Sequence, residues 1–71
     1  MIKVYFGNDE SKKYIGESET EDGAYQVMVD YVADVLKKDT DNVYYCFARL
    51  ENGDLIVDYG SHSHFFYFER I

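Results

Sequence analysis

Asp58, His62 and His64 are the residues whose types and spacing come nearest to a chemical site. They share parity, so on one uninterrupted strand all three would face the same side. Two imidazoles and a carboxylate are the donor set of a non-haem metal centre, which also needs neighbours that orient its ligands. Gly60, Ser61 and Ser63 lie among them, however, and these are turn residues. A bend there would separate Asp58 from the histidines and leave the imidazoles at a solvent-exposed corner. The turn is the preferred reading, so no metal ligand and no cofactor is assigned. Cys46 beside a histidine could form a nucleophilic pair. No oxyanion or activating motif accompanies it, and it is expected to face a helix as a small buried hydrophobe. Asp39 and Asp41 begin like a calcium loop, but the later glycine and the closing bidentate glutamate are missing. No glycine loop suited to phosphate is present. The chain is therefore expected not to be an enzyme, with no catalytic residues.

The elements that would position these residues follow from periodicity. Residues 2–6, IKVYF, alternate, with Ile2, Val4 and Phe6 on one side: a half-buried strand. GNDES is a turn, and the short, lysine-bearing KKYIGES reads as an edge strand. Ala24, Val27, Met28, Tyr31, Val32, Val35 and Leu36 form one apolar stripe at helical spacing. Glu19, Glu21 and Asp22 at its start, and Lys37 and Lys38 at its end, match the helix dipole. Ser18 with Glu21 fits a capping box, and Thr20 or Asp22 are alternative caps. DTDN, 39–42, reads as a turn.

Asn52-Gly53 suits a two-residue type I′ hairpin. Such a loop pairs Leu50 with Leu55, Ala48 with Val57 and Cys46 with Tyr59, an apolar face assigned to the helix. Tyr45, Phe47, Arg49, Ile56 and Asp58 then face the other way. FFYFERI is the last strand; an even-length loop before it puts Phe66 and Phe68 under the helix and Phe65 and Tyr67 on the opposite face. The expected fold is α+β: a single helix packed on one face of a small, mainly antiparallel sheet, in the order β-β-α-β-β-β. The other face has no second helix to cover it.

A chain of 71 residues is one domain at most, 1–71, with a thin margin of stability. Its single cysteine excludes an internal disulfide and fits a reducing compartment. No apolar run approaches the roughly 20 residues that span a bilayer. MIKVYFGNDE does not read as a signal segment, so a cytoplasmic location is expected. Fourteen acidic against seven basic residues give a net charge of −7. That charge opposes direct contact with nucleic acid and suits a basic protein partner. Exposed rings could stack on RNA bases, but Arg49 and Arg70 would be the only nearby cations. Glu19, Glu21, Asp22, Asp30 and Asp34 form an acidic rim. Carboxylates so spread can imitate phosphates in a partner's basic groove, although runs of charge more often only solvate a surface.

The stretch ENGDLIVDYGSHSHFF, residues 51–66, resembles small uncharacterised proteins of phages and prophages of Gram-positive bacteria, acidic, aromatic and poor in proline. That resemblance implies an accessory or inhibitory role exerted by binding, and carries no functional residues with it. The expectation is thus a small acidic, non-enzymatic interaction module, binding a basic host protein through Tyr45, Phe47, Ile56, Phe65 and Tyr67 or through the acidic rim. The same aromatic face could pack sheet on sheet in a structural homodimer, and dimerisation is expected because it relieves the small core.

Overall fold

The computed structural model describes residues 1–39, 43–61 and 63–71. The DTDN turn falls largely outside them, and His62 does so entirely. Five strands and one helix follow in the expected order: β1 (Ile2–Gly7), β2 (Lys12–Ser18), α1 (Glu21–Asp34), β3 (Cys46–Arg49), β4 (Leu55–Asp58) and β5 (Phe65–Arg70). The strands form one sheet in the order β2-β1-β5-β4-β3, with every neighbouring pair antiparallel. The fold is α+β, one helix on one face of an antiparallel sheet.

The period of two in β1 sets the core. Ile2 and Val4 are buried, and across the β1–β5 pair Val4 meets Phe68 and Phe6 meets Phe66. Phe66 and Phe68 lie under the helix with Val57 and Leu55 beside them, and Phe65 and Tyr67 point the other way. Each fully buried ring or branched chain contributes about 1.5–3 kcal/mol relative to exposure, and this small set of residues forms the core cluster.

The helix presents Ala24, Met28 and Val32 to that core, with Val27 and Tyr31 at its margins. Thr20 is the cap: its hydroxyl accepts from the Gly23 N–H at 3.0 Å. Ser18 plays a lesser part, its hydroxyl accepting from the Thr20 N–H at 3.3 Å. The apolar stripe runs past the helix itself. The helix ends at Asp34, leaving Val35 56% exposed, and the chain turns away through Lys37 at φ 57°. Lys37 and Lys38 therefore lie beyond the last turn, where no basic residue stands.

The β3–β4 hairpin corrects the sequence reading. Arg49 pairs with Leu55, Ala48 with Ile56, Phe47 with Val57 and Cys46 with Asp58. The Leu50 N–H donates to Asp54 O at 2.7 Å and the Gly53 N–H to Leu50 O at 3.0 Å. Only Gly53 takes a positive φ in this loop, 92°. The connection is thus a type I turn followed by a glycine bulge, three residues long rather than two. Asn52 stays at negative φ, and its side-chain oxygen accepts from the Asp54 N–H at 3.0 Å. One extra loop residue reverses every side chain of β3. Phe47 and Arg49, expected on the open face, lie on the helix side, and by the same alternation so does Tyr45. Cys46, expected under the helix, is exposed on the far side with Ala48.

Candidate functional site

Dimensions explain where this fold leaves surface uncovered. Strands spaced about 4.8 Å apart put the two edges of a five-stranded sheet about 19 Å from each other. A helix with its side chains is about 10–12 Å across. Helix α1 lies over β1 and β2, approaching so closely at Gly16 that a Cβ there would stand 2.8 Å from Val27 Cγ1. The β4–β3 half of the same face is left without a helix above it.

A groove occupies that half. Tyr25 from α1 forms one wall and Phe47 from β3 the other, their ring centroids 6.0 Å apart and their planes inclined by 29°. Leu55 and Phe68 form the floor, with Glu21, Asp22 and Arg49 at the mouth, enclosing about 330 Å³. Tyr45 extends the aromatic wall, edge-on to Tyr25 at 5.7 Å. Phe47 is 51% exposed and lies next to Tyr25, itself exposed, so the two rings make a contiguous aromatic patch. The Tyr45 hydroxyl is buried without a hydrogen-bond partner among the described residues, and burial, with Tyr25 next to it, pushes its pKa up.

Glu21 ties the groove together. Both its carboxylate oxygens accept from Arg49 Nη2, at 3.1 and 3.2 Å, and Arg70 Nη2 bonds it from the end of β5. Arg49 also donates to Gly53 O, so the hairpin loop, the last strand and the helix start converge on one carboxylate. The Arg49 hydrogen bond foremost, and Arg70 after it, hold the Glu21 carboxyl below its ordinary range, against an opposing effect of desolvation. The acidic rim is divided by this arrangement. Glu21 is neutralised, Asp22 lines the groove, and Glu19 precedes the helix. Asp30 and Asp34 line a separate, open depression with Ile15, Val27, Tyr31 and Val35. Asp30 accepts there from Gln26 Nε2 at 2.8 Å.

The opposite face is mixed: Tyr14 and Leu50 are exposed on it, but its centre is covered by charged groups. Tyr67 is only 5% exposed although no helix covers it. Tyr5 and Ile56 flank it in register, the Lys12 ammonium sits 4.4 Å from its ring centroid, and its hydroxyl donates to Asp9 Oδ1 at 3.3 Å. Burial first, then the Asp9 charge, raises the Tyr67 pKa. Lys12 in turn pairs with Glu69 at 3.3 Å, and register sets Lys3 between Glu17 and Glu69. Phe65 is half-buried beside this charged lattice. Of the five residues predicted to form one interaction face, Tyr45 and Phe47 lie on the helix side and Ile56, Phe65 and Tyr67 on the other. Tyr25 was not singled out from the sequence; it lies outside the apolar stripe, and only the hairpin register brings Phe47 to it.

Of the residues with metal-binding types, Asp58 and His64 make local contacts. Asp58 Oδ1 accepts from the Gly60 N–H at 2.8 Å, closing the turn that Gly60 makes at φ 107°. The His64 ring stacks on Phe6 at 5.5 Å, and its Nδ1 lies 2.8 Å from Ser63 Oγ. No group of three or more potential metal ligands is found among the described residues, of which His62 is not one.

No family model, curated protein or solved structure matches the chain. Among the described residues no helix is long and apolar enough to cross a membrane.

Proposed function

We propose that this chain is a non-enzymatic protein-interaction module whose docking site is the aromatic groove between α1 and β3. The observation that carries this reading is the half-exposed Phe47 stacked against Tyr25 over an apolar floor, with Asp22 at the mouth. A cleft with apolar walls and a few charged groups at its rim can seat an anchoring side chain of a partner. The net charge of −7 favours a basic partner by steering its approach. A phage-type accessory or inhibitory role is one setting for such a surface and rests on the style of residues 51–66. A cytoplasmic setting fits the single, exposed cysteine. The sheet-on-sheet homodimer is the alternative: the opposite face carries exposed Tyr14 and Leu50, but Lys3, Lys12, Glu17 and Glu69 around a covered Tyr67 make it less apolar than such packing prefers.

Affinity capture from host lysate tests the reading, using the native chain, Phe47→Ser, and Tyr14→Ser on the opposite face as control. Proteins held by the native and Tyr14→Ser chains should be lost with Phe47→Ser at unchanged folding, and weakened at about 0.5 M salt. Retention that ignores the Phe47 substitution would remove the groove as the site.

A further inference from the structure

We propose that the partner supplies a strand: an extended segment bearing lysine or arginine pairs with the free edge of β3. This rests on the groove reading above and adds how the surface is engaged. β3 ends the sheet order, and all four of its residues are exposed. The Leu50–Asp54 hydrogen bond closes the hairpin, and antiparallel pairs alternate between bonded and non-bonded. The main-chain groups of Ala48 and Cys46 therefore turn toward β4, and those of Phe47 and Arg49 turn outward. Phe47 and Arg49 are also the residues whose side chains stand at the groove. An added strand would satisfy their peptide groups while placing alternate side chains against the outer side of the wall formed by Tyr45 and Phe47, next to Arg49 at the groove's mouth.

The two edges of the sheet are built differently. β2 carries Lys12, Lys13 and Glu17, and a bulge at Ile15 breaks its register with β1. Charge and bulges are the means by which an edge is kept from pairing. β3 reads Cys-Phe-Ala-Arg; its one charge is already engaged by Glu21, and its register with β4 is unbroken. The edge beside the groove is the one left open to pairing.

Charge selects the occupant. A second copy would bring −7 against −7, with Asp22 and the rest of the acidic surface facing its like. A basic segment meets the opposite sign.

The probe is a synthetic peptide of about ten residues alternating lysine with valine and phenylalanine. Two controls accompany it: the same peptide N-methylated on alternate backbone nitrogens, and one with glutamate for lysine. Binding to the full chain is followed by amide hydrogen exchange and side-chain NMR, and oligomeric state by sedimentation. The lysine peptide should slow exchange at Phe47 and Arg49 and leave Cys46 and Ala48, already bonded to β4, unchanged. N-methylation should weaken it about tenfold or more, and the glutamate peptide should not bind. Shifts of the Tyr25 and Phe47 rings without protection of the Phe47 and Arg49 amides would overturn strand pairing and leave the groove reading standing. Absence of both responses would overturn both. A dimer at about 100 µM with those amides protected would make the occupant a second copy and overturn the basic segment.

Discussion

Substituting Glu51 by proline tests the hairpin register, on which the composition of the groove depends. In the type I turn Leu50–Gly53, Glu51 is the second residue, where proline is favoured because its fixed φ is the one required. The Glu51 N–H donates to nothing among the described residues, and Leu50, just past β3 and bonded to Asp54, can keep the extended form that a following proline demands. Under those conditions the substitution restricts only the unfolded chain and stabilises by about 0.4–1 kcal/mol. For a domain of this size that raises the Tm by about 2–8 °C. In the two-residue type I′ alternative, Glu51 would instead close the ladder opposite Asp54. Proline would then delete that bond and strand a carbonyl, a loss of about 1–3 kcal/mol and a Tm lower by about 4 °C or more. Thermal denaturation followed by circular dichroism separates the two outcomes by sign. An NMR contact between the α-protons of Phe47 and Val57, a non-bonded pair in this register, confirms it independently. A lowered Tm, or a Val57 contact to Ala48 in its place, would refute the register and return Phe47 to the opposite face.

Three further outcomes follow from the same packing. Tyr45→Phe removes a buried hydroxyl that has no partner among the described residues and should stabilise by about 1 kcal/mol, read from the urea midpoint; a loss of similar size would mean the hydroxyl is bonded. Gly16→Ala drives a methyl group against Val27 and should destabilise by about 1–3 kcal/mol, with Val27→Ala in the same chain recovering part of the loss. Glu21→Gln should lower the urea midpoint at pH 7 and lose that difference in acid. The folded carboxyl titrates below its ordinary 4.5, so its stabilisation is present above that value and disappears as pH falls through the lowered one; a difference that persists in acid would contradict the pairing with Arg49 and Arg70.

Local pattern carried much of the architecture. Alternation in Ile2, Val4 and Phe6 gave β1 and its buried side, and the spacing of Ala24, Met28 and Val32 gave the helix and the face it buries. The preference for Phe66 and Phe68 inside agrees with the β5 register, because an apolar pair loses more by facing water than one containing a tyrosine. The turn reading of Gly60 and Ser63 was visible for a similar reason: Asp58 needs only a neighbouring N–H to close it.

Long-range geometry was needed where one residue changes everything downstream. Asn52-Gly53 is compatible with two loop lengths, and the choice between them depends on contacts remote in sequence. Asp54 Oδ1 accepts from the Arg70 N–H at 2.9 Å, and Arg49 reaches Glu21 across the helix start. These contacts hold the longer loop, turn Phe47 toward Tyr25 and expose Cys46. The cover over Tyr67 is equally remote, coming from Asp9 and Lys12. Residue periods report which side of its own element a group occupies. They do not report that one helix is narrower than the sheet beneath it, and the groove is the consequence of that difference in width.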